Sequence, residues 1–186
     1  FSSQNWQRPD NEVSGLMQLF QIYIRKERQR LIDNDIELQV IGERDQLGDD
    51  LQRAIADLEE VTSSNDEMTL QVAVSYGGRE EILRAVHLIA EEVEAGELSA
   101  HDIDQSVFES HLYTTDTSDP DLLVRTSGEM RLSNFLLWQV AYSEIYVTDV
   151  LWPDFGEADL IGAFTEFGDR ERRFGKTGQQ LDNSDS

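Results

Sequence analysis

Cysteine is absent from the 186 residues. That excludes disulfides, zinc-thiolate sites and thiol nucleophiles, whatever the fold. Lysine is nearly absent too, represented only by Lys26 and Lys176. No apolar run approaches the ~20 residues a membrane-spanning helix needs, and no secretory leader is recognisable. Basic character is scarce: 15 Lys and Arg stand against 38 Asp and Glu, a formal net charge of −23. So acidic a chain argues against nonspecific nucleic-acid binding. His87, His101 and His111 have no metal-ligand spacing. The acids are spread over helix faces and turns, which reads as a solvated, salt-adapted (halophilic) surface more than as an acidic interaction segment.

What remains is patterned. The length is that of one domain with tails. After the turn at Pro9, the residues Val13, Leu16, Met17, Phe20, Ile24 and Leu31 recur at helical spacing and predict an amphipathic helix to about Asp33. Ile36, Leu38, Val40 and Ile41 predict a strand, and Leu51, Ile55, Leu58 and Val61 a helix. Residues 68–74 alternate as a strand, and Tyr76-Gly77-Gly78-Arg79 leads into a helix carrying Ile82, Val86, Ile89 and Val93. A short helix is expected over residues 101–113, a last strand over 145–147 and a helix over 158–167. Strands alternating with helices imply an α/β fold with a mainly parallel sheet, whose ligands gather at the carboxyl ends of strands. Residues 176–186 read as a polar, disordered tail.

Residues 121–144, DLLVRTSGEMRLSNFLLWQVAYSE, concentrate the chemistry. An apolar strand ends at Arg125, and Ser133 or Asn134 is placed to cap a helix with the face Phe135, Leu136, Trp138, Gln139 and Tyr142. Two arginines, hydroxyls and a glycine at a helix start make a natural phosphate site. A solvated loop with incidental arginines is the competing interpretation.

Five blocks in order resemble the cis-prenyltransferases, the undecaprenyl or polyprenyl diphosphate synthases. They are FSSQNWQRP at 1–9, SYGGREEI at 75–82, DLLVRTSGEMRLSNFLLWQVAYSEIY at 121–146, LWPDF at 151–155 and RERRFG at 170–175. The resemblance covers residues 1–175 and implies a single catalytic domain that elongates an allylic diphosphate, farnesyl or geranylgeranyl, with isopentenyl diphosphate to a long-chain carrier lipid. Carried over by position, Arg125, Arg131 and Ser133, with Leu132 between them, would hold the diphosphate of isopentenyl diphosphate. Glu144 would ligate Mg²⁺ or orient the metal site. Ser2 and Asn5 would act near the proton removed from the condensing unit, beside the substrate-binding residues Ser3, Gln4, Trp6 and Arg8. Phe1, Leu16, Phe20, Tyr23 and Met68 would line the apolar tunnel, Met68 near its floor. The family's homodimers complete each site with an Arg-x-Gly element from the partner's tail, here Arg173-Phe174-Gly175. A cytoplasmic protein, at most peripherally associated with membrane, is implied.

Two departures matter. The family's Asp-Gly-Asn-Gly-Arg loop, which binds the allylic diphosphate and the metal, does not occur in these residues. The chain starts at Phe1 and not at Met, so an N-terminal segment is expected to be missing, and the 186 residues alone are expected not to turn over. A non-catalytic fragment or partner subunit is the alternative, and a generic phosphate-binding module is what the residues support without the resemblance. Met130 stands where some relatives carry a histidine near the metal, and a thioether is a poor Mg²⁺ ligand.

Overall fold

The computed structural model describes residues 1–170. Arg173, Gly175 and the tail lie outside the described residues. The chain divides into two compact units, Phe1–Thr117 and one that begins at Ser118.

In the first unit, helix α1 (Asp10–Asp33) starts after Pro9, with Asp10 and Glu12 in its first turn where the positive end of the helix dipole favours acids. Its buried residues are Ile24 and Leu31. Asp35, at φ 55°, turns the chain into strand β1 (Ile36–Ile41). Helix α2 (Asp49–Thr62) buries Leu51, Ile55 and Leu58 at helical spacing and leads back to strand β2 (Met68–Ala73). The two strands are parallel, in register from Ile36 opposite Met68 to Ile41 opposite Ala73. The core joins these elements through Leu38, Val40, Ile55, Leu58 and Val74. Each such side chain contributes roughly 1.5–3 kcal/mol on burial.

The side of β1 turned away from β2 is closed by side chains. The amide of Leu38 donates to Thr62 Oγ1 at 3.1 Å, and that of Val40 to Glu59 Oε1 at 2.7 Å. Arg44 Nη1 holds the other Glu59 oxygen at 2.7 Å, and Asn65 Nδ2 donates to the carbonyl of Ile36 at 2.9 Å. Groups on α2 and just after it thus meet backbone that a further strand would otherwise pair. On the other side, no strand among the described residues continues the sheet past β2, where Met68 is 49% and Leu70 39% exposed.

Helix α3 (Gly78–Ala95) ends on Gly96 in the left-handed conformation. The helix expected over residues 101–113 is confined to α4 (Gln105–Glu109). The Asp104 carboxylate accepts from the Val107 amide at 3.0 Å, so it caps α4 and leaves the preceding residues outside. Beyond α4, His111 is held by the Val107 carbonyl at 2.7 Å and by Glu92 on α3 at 2.9 Å.

In the second unit, strand β3 (Leu122–Arg125) lies parallel to β4 (Glu144–Val147), with Leu122 opposite Glu144 and Arg125 opposite Val147. Glu144 is therefore a strand residue, not an acid preceding the strand. Helix α5 (Glu157–Asp169) follows a 3₁₀ turn at Trp152–Asp154. The helix expected after Ser133 does not form. Ser133, Asn134 and Leu136 all have positive φ, which a right-handed helix cannot accommodate, and only a 3₁₀ turn at Gln139–Tyr142 is helical. The expected apolar face does not pack as one: Tyr142 is 76% exposed, whereas Gln139 is buried. No described helix is long and apolar enough to cross a membrane.

Gly42 follows β1 at φ +114°, and a Cβ there would lie 2.2 Å from the Val74 carbonyl oxygen. Gly42→Ala is expected to destabilise the protein by at least about 2 kcal/mol, read from the urea midpoint. His111 titrates above its ordinary value, through its bond to the Val107 carbonyl first and to Glu92 second. A raised folded pKa gives stability that is complete below about pH 6.5 and is lost as pH rises through the higher folded value. Glu92→Gln is expected to flatten that part of the stability–pH curve, measured by thermal melts from pH 5 to 8.

Candidate functional site

The carboxyl ends of β1 and β2 carry the first group of candidates. The chain at Ser2 forms a parallel bridge with Tyr76, and the Ser3 amide donates to the Tyr76 carbonyl at 3.0 Å. A 3₁₀ turn at Ser3–Gln7 then places the remaining side chains. Asn5 Oδ1 accepts from the Ser2 amide at 2.7 Å, which leaves the Asn5 NH₂ as that side chain's outward chemistry. Ser3 Oγ is buried without a partner. Trp6 commits its indole N–H to Ser75 Oγ at 2.8 Å and meets the Phe1 ring edge-on at 5.1 Å. Ser75 is fully buried at φ 52°. Gln4 is exposed, and Arg8 pairs with Glu12 on α1 at 2.5 Å.

Beneath this loop lies a network that the sequence reading did not single out. Glu81, 1% exposed, accepts the Tyr76 hydroxyl at 2.5 Å and the Tyr113 amide at 2.9 Å. The Tyr113 hydroxyl donates to Glu43 Oε1 at 2.7 Å, and Arg84 stands 4.4 Å over the Tyr113 ring. Burial, then the Glu43 bond, pushes the Tyr113 phenol far above its ordinary value, so it remains a proton donor at any physiological pH. The signal available in the sequence was only a second acid in the first turn of α3, where the dipole favours it.

Of the tunnel candidates, Phe20 and Tyr23 line an apolar cavity of about 290 Å³ with Ile36, Leu38 and Leu70. Leu16 and Met68 are not among its lining residues, although Met68 is paired in register with Ile36, which is.

In the second unit, Arg125, Arg131 and Leu132 line a pocket of about 260 Å³ at the end of β3, floored by aliphatic groups such as Leu123 and Val147. Ser133 Oγ lies 3.5 Å from Arg125 Nη2. Glu129, which sequence reasoning passed over, bridges the two arginines: one carboxylate oxygen accepts from Arg125 and the other from Arg131. Arg125 Nε is buried without an acceptor. The loop is pinned from behind. The Ser127 amide donates to the Val150 carbonyl at 3.0 Å and the Gly128 amide to that of Thr148 at 2.8 Å. Gly128 sits at φ +67°, where a Cβ would come within 2.6 Å of Asp149 Oδ1. Because no α-helix begins at Ser133, the pocket offers side-chain donors and not a helix dipole. Met130 is 88% exposed.

Glu144 does not line that pocket. Its Oε2 takes Arg170 Nη1 at 3.1 Å, and the same guanidinium nitrogen donates to the Ile145 carbonyl at 2.9 Å. Among the described residues no three His, Asp or Glu converge as a metal cage.

Comparison with known proteins bears on the whole chain. Residues 1–175 match the family model described as "Putative undecaprenyl diphosphate synthase". A ditrans,polycis-undecaprenyl-diphosphate synthase of Vibrio cholerae, described as (2E,6E)-farnesyl-diphosphate specific, is 50% identical over 97% of this chain and 72% of its own length. An isoprenyl transferase of Chlorobaculum tepidum is 48% identical over 97% of this chain and 68% of its own. Among solved structures, lavandulyl diphosphate synthase from Lavandula x intermedia, in complex with dimethylallyl diphosphate, superposes with a TM-score of 0.92 at 43% identity, over 95% of this chain and 76% of that one. The structure of a "probable undecaprenyl diphosphate synthase" from Campylobacter jejuni gives 0.82 at 33% identity, over 95% and 80%.

Glu81→Gln keeps the volume but replaces one acceptor oxygen with a donor facing either the Tyr76 hydroxyl or the Tyr113 amide. A loss of about 2–4 kcal/mol in urea unfolding is expected. An unchanged midpoint would show that these bonds are dispensable.

Proposed function

This chain belongs to the undecaprenyl diphosphate synthase family, and from that membership we propose that it condenses isopentenyl diphosphate with an allylic diphosphate such as farnesyl diphosphate. The observation that carries the reading is the gathering of Arg125 and Arg131 at one pocket in the second unit, with Ser133 Oγ 3.5 Å from Arg125. Two guanidiniums offer directed, charge-assisted donors to a diphosphate, and the serine hydroxyl adds a neutral one. Leu132 and the aliphatic floor of the same pocket suit a short isoprenoid next to that head group.

In the condensation, C1 of the allylic substrate loses its diphosphate and bonds to C4 of isopentenyl diphosphate, which then gives up a proton from C2. In this reading the Ser2 hydroxyl and the Asn5 amide act near that proton, with Asn5 oriented by its bond to the Ser2 amide. Ser3, Gln4, Trp6 and Arg8 serve the same substrate loop, Trp6 anchoring it on Ser75. The cavity at Phe20 and Tyr23 is apolar enough to take part of a growing chain. Phe1 and Leu16, which do not line it, are assigned to the path by the family resemblance alone. Met68, beside Ile36 in register, belongs to the end of that path.

In this reading Glu144, whose Oε2 is engaged by Arg170, would be the residue of this chain that holds Mg²⁺, a hard cation suited to carboxylate oxygen. When bound, Mg²⁺ would supply charge neutralisation to the departing diphosphate. The family's homodimer, with Arg173 and Gly175 reaching a neighbouring site, is part of this proposal.

Binding separates this reading from turnover. Calorimetric titration of the chain with isopentenyl diphosphate and Mg²⁺ is expected to show a saturable site. Arg131→Ala is expected to weaken it roughly 10-fold to 100-fold, the loss of a bond to a charged group. An unchanged affinity would remove the second-unit pocket from this role.

A further inference from the structure

The assigned diphosphate clamp contains an acid that the reaction does not call for. Glu129 lies four residues after Arg125 and two before Arg131, and its two carboxylate oxygens are divided between them. Two guanidiniums brought to one pocket repel each other, and Arg125 is only 31% exposed, so water screens it incompletely. Without a counter-charge, long arginine side chains would swing apart towards solvent and would have to be gathered again by each ligand. The backbone around Glu129 is fixed by the bonds from Ser127 and Gly128 to the chain after β4, so the carboxylate is presented from a defined point. It engages a single nitrogen, Nη2, of each arginine, so each fork keeps further N–H groups for a ligand.

We propose that Glu129 is a positioning residue, a bridging carboxylate that holds Arg125 and Arg131 in diphosphate-binding geometry before isopentenyl diphosphate arrives. The inference deepens the assignment of these arginines to the diphosphate and rests on it. It has a direct rival. The same carboxylate, close to an anionic ligand, could oppose binding by charge repulsion, and the two roles predict changes of opposite sign.

Calorimetric titration of the whole chain with isopentenyl diphosphate and Mg²⁺ separates them. Glu129→Gln, which keeps the shape and removes the charge, is expected to weaken binding about 10-fold, whereas Glu129→Asp stays within about threefold of the parent. In an Arg131→Ala background, Glu129→Gln is expected to add no more than about a twofold loss, because one of the groups it positions is gone. Tighter binding by Glu129→Gln would overturn the proposal in favour of repulsion. Equal losses in both backgrounds would overturn it in favour of a general structural role, and thermal melts of each variant identify any that fail to fold. If Arg125→Ala and Arg131→Ala themselves leave the affinity unchanged, the diphosphate assignment fails. If they weaken it and Glu129→Gln does not, only the positioning role fails.

Discussion

The first unit depends on one buried carboxylate. Glu81 sits at the start of α3 with almost no solvent contact and accepts from two places far apart in sequence, the Tyr76 hydroxyl and the Tyr113 amide. A buried anion is tolerable only when its oxygens are met by donors, and here the helix dipole adds to them. Tyr76 in turn carries the backbone bridge to Ser2 and the bond from Ser3. The short turn that carries Asn5 and Trp6 is thus tied at its start to a residue that Glu81 holds, and Trp6 adds a second tie to Ser75. This loop is anchored through its backbone and through Trp6.

The second unit solves a different problem with the same means. Its candidate site lies in a loop with residues in the left-handed region, at Ser127, Gly128, Ser133, Asn134 and Leu136. Such a loop offers no aligned amides of a long helix, and the directed donors at its pocket are guanidinium forks. Forks discriminate by direction, and a diphosphate presents oxygens in more directions than a monophosphate does. Arg170 performs a comparable service on the other acid of interest, joining Glu144 to the end of α5 through Glu166.

How much of this was legible in the sequence follows from where burial and periodicity agree. The helix at Asp49–Thr62 and the strand at Ile36–Ile41 were readable because their apolar spacing is also their buried face, whereas the strand at Met68–Ala73 and the helix at Gly78–Ala95 were readable from spacing alone, with Met68, Leu70 and Val86 left exposed. After Ser133 the two part company. Phe135, Trp138 and Tyr142 have helical spacing but remain 36% or more exposed, and consecutive positive φ values decide the backbone instead. The resemblance of ordered motifs singled out Arg125, Arg131 and Ser133, and the fold brings them near one another. Glu129 and Glu81 were not, since nothing local tells which of 38 acids will face two arginines or two tyrosine-borne donors. Such pairings come from tertiary structure.

The closing of β1 by α2 reaches beyond the folded monomer. Thr62 and Glu59 take up amides of Leu38 and Val40 that would otherwise face outward along an apolar strand, IELQVI. Unpaired amides on such a strand are a template for intermolecular pairing and cross-β growth. The crossover helix therefore guards solubility as well as linking two strands. A substitution at Thr62 or Glu59 would uncover amides of that edge, and pairing between exposed edges is a matter of concentration that a dilute measurement of folding does not register.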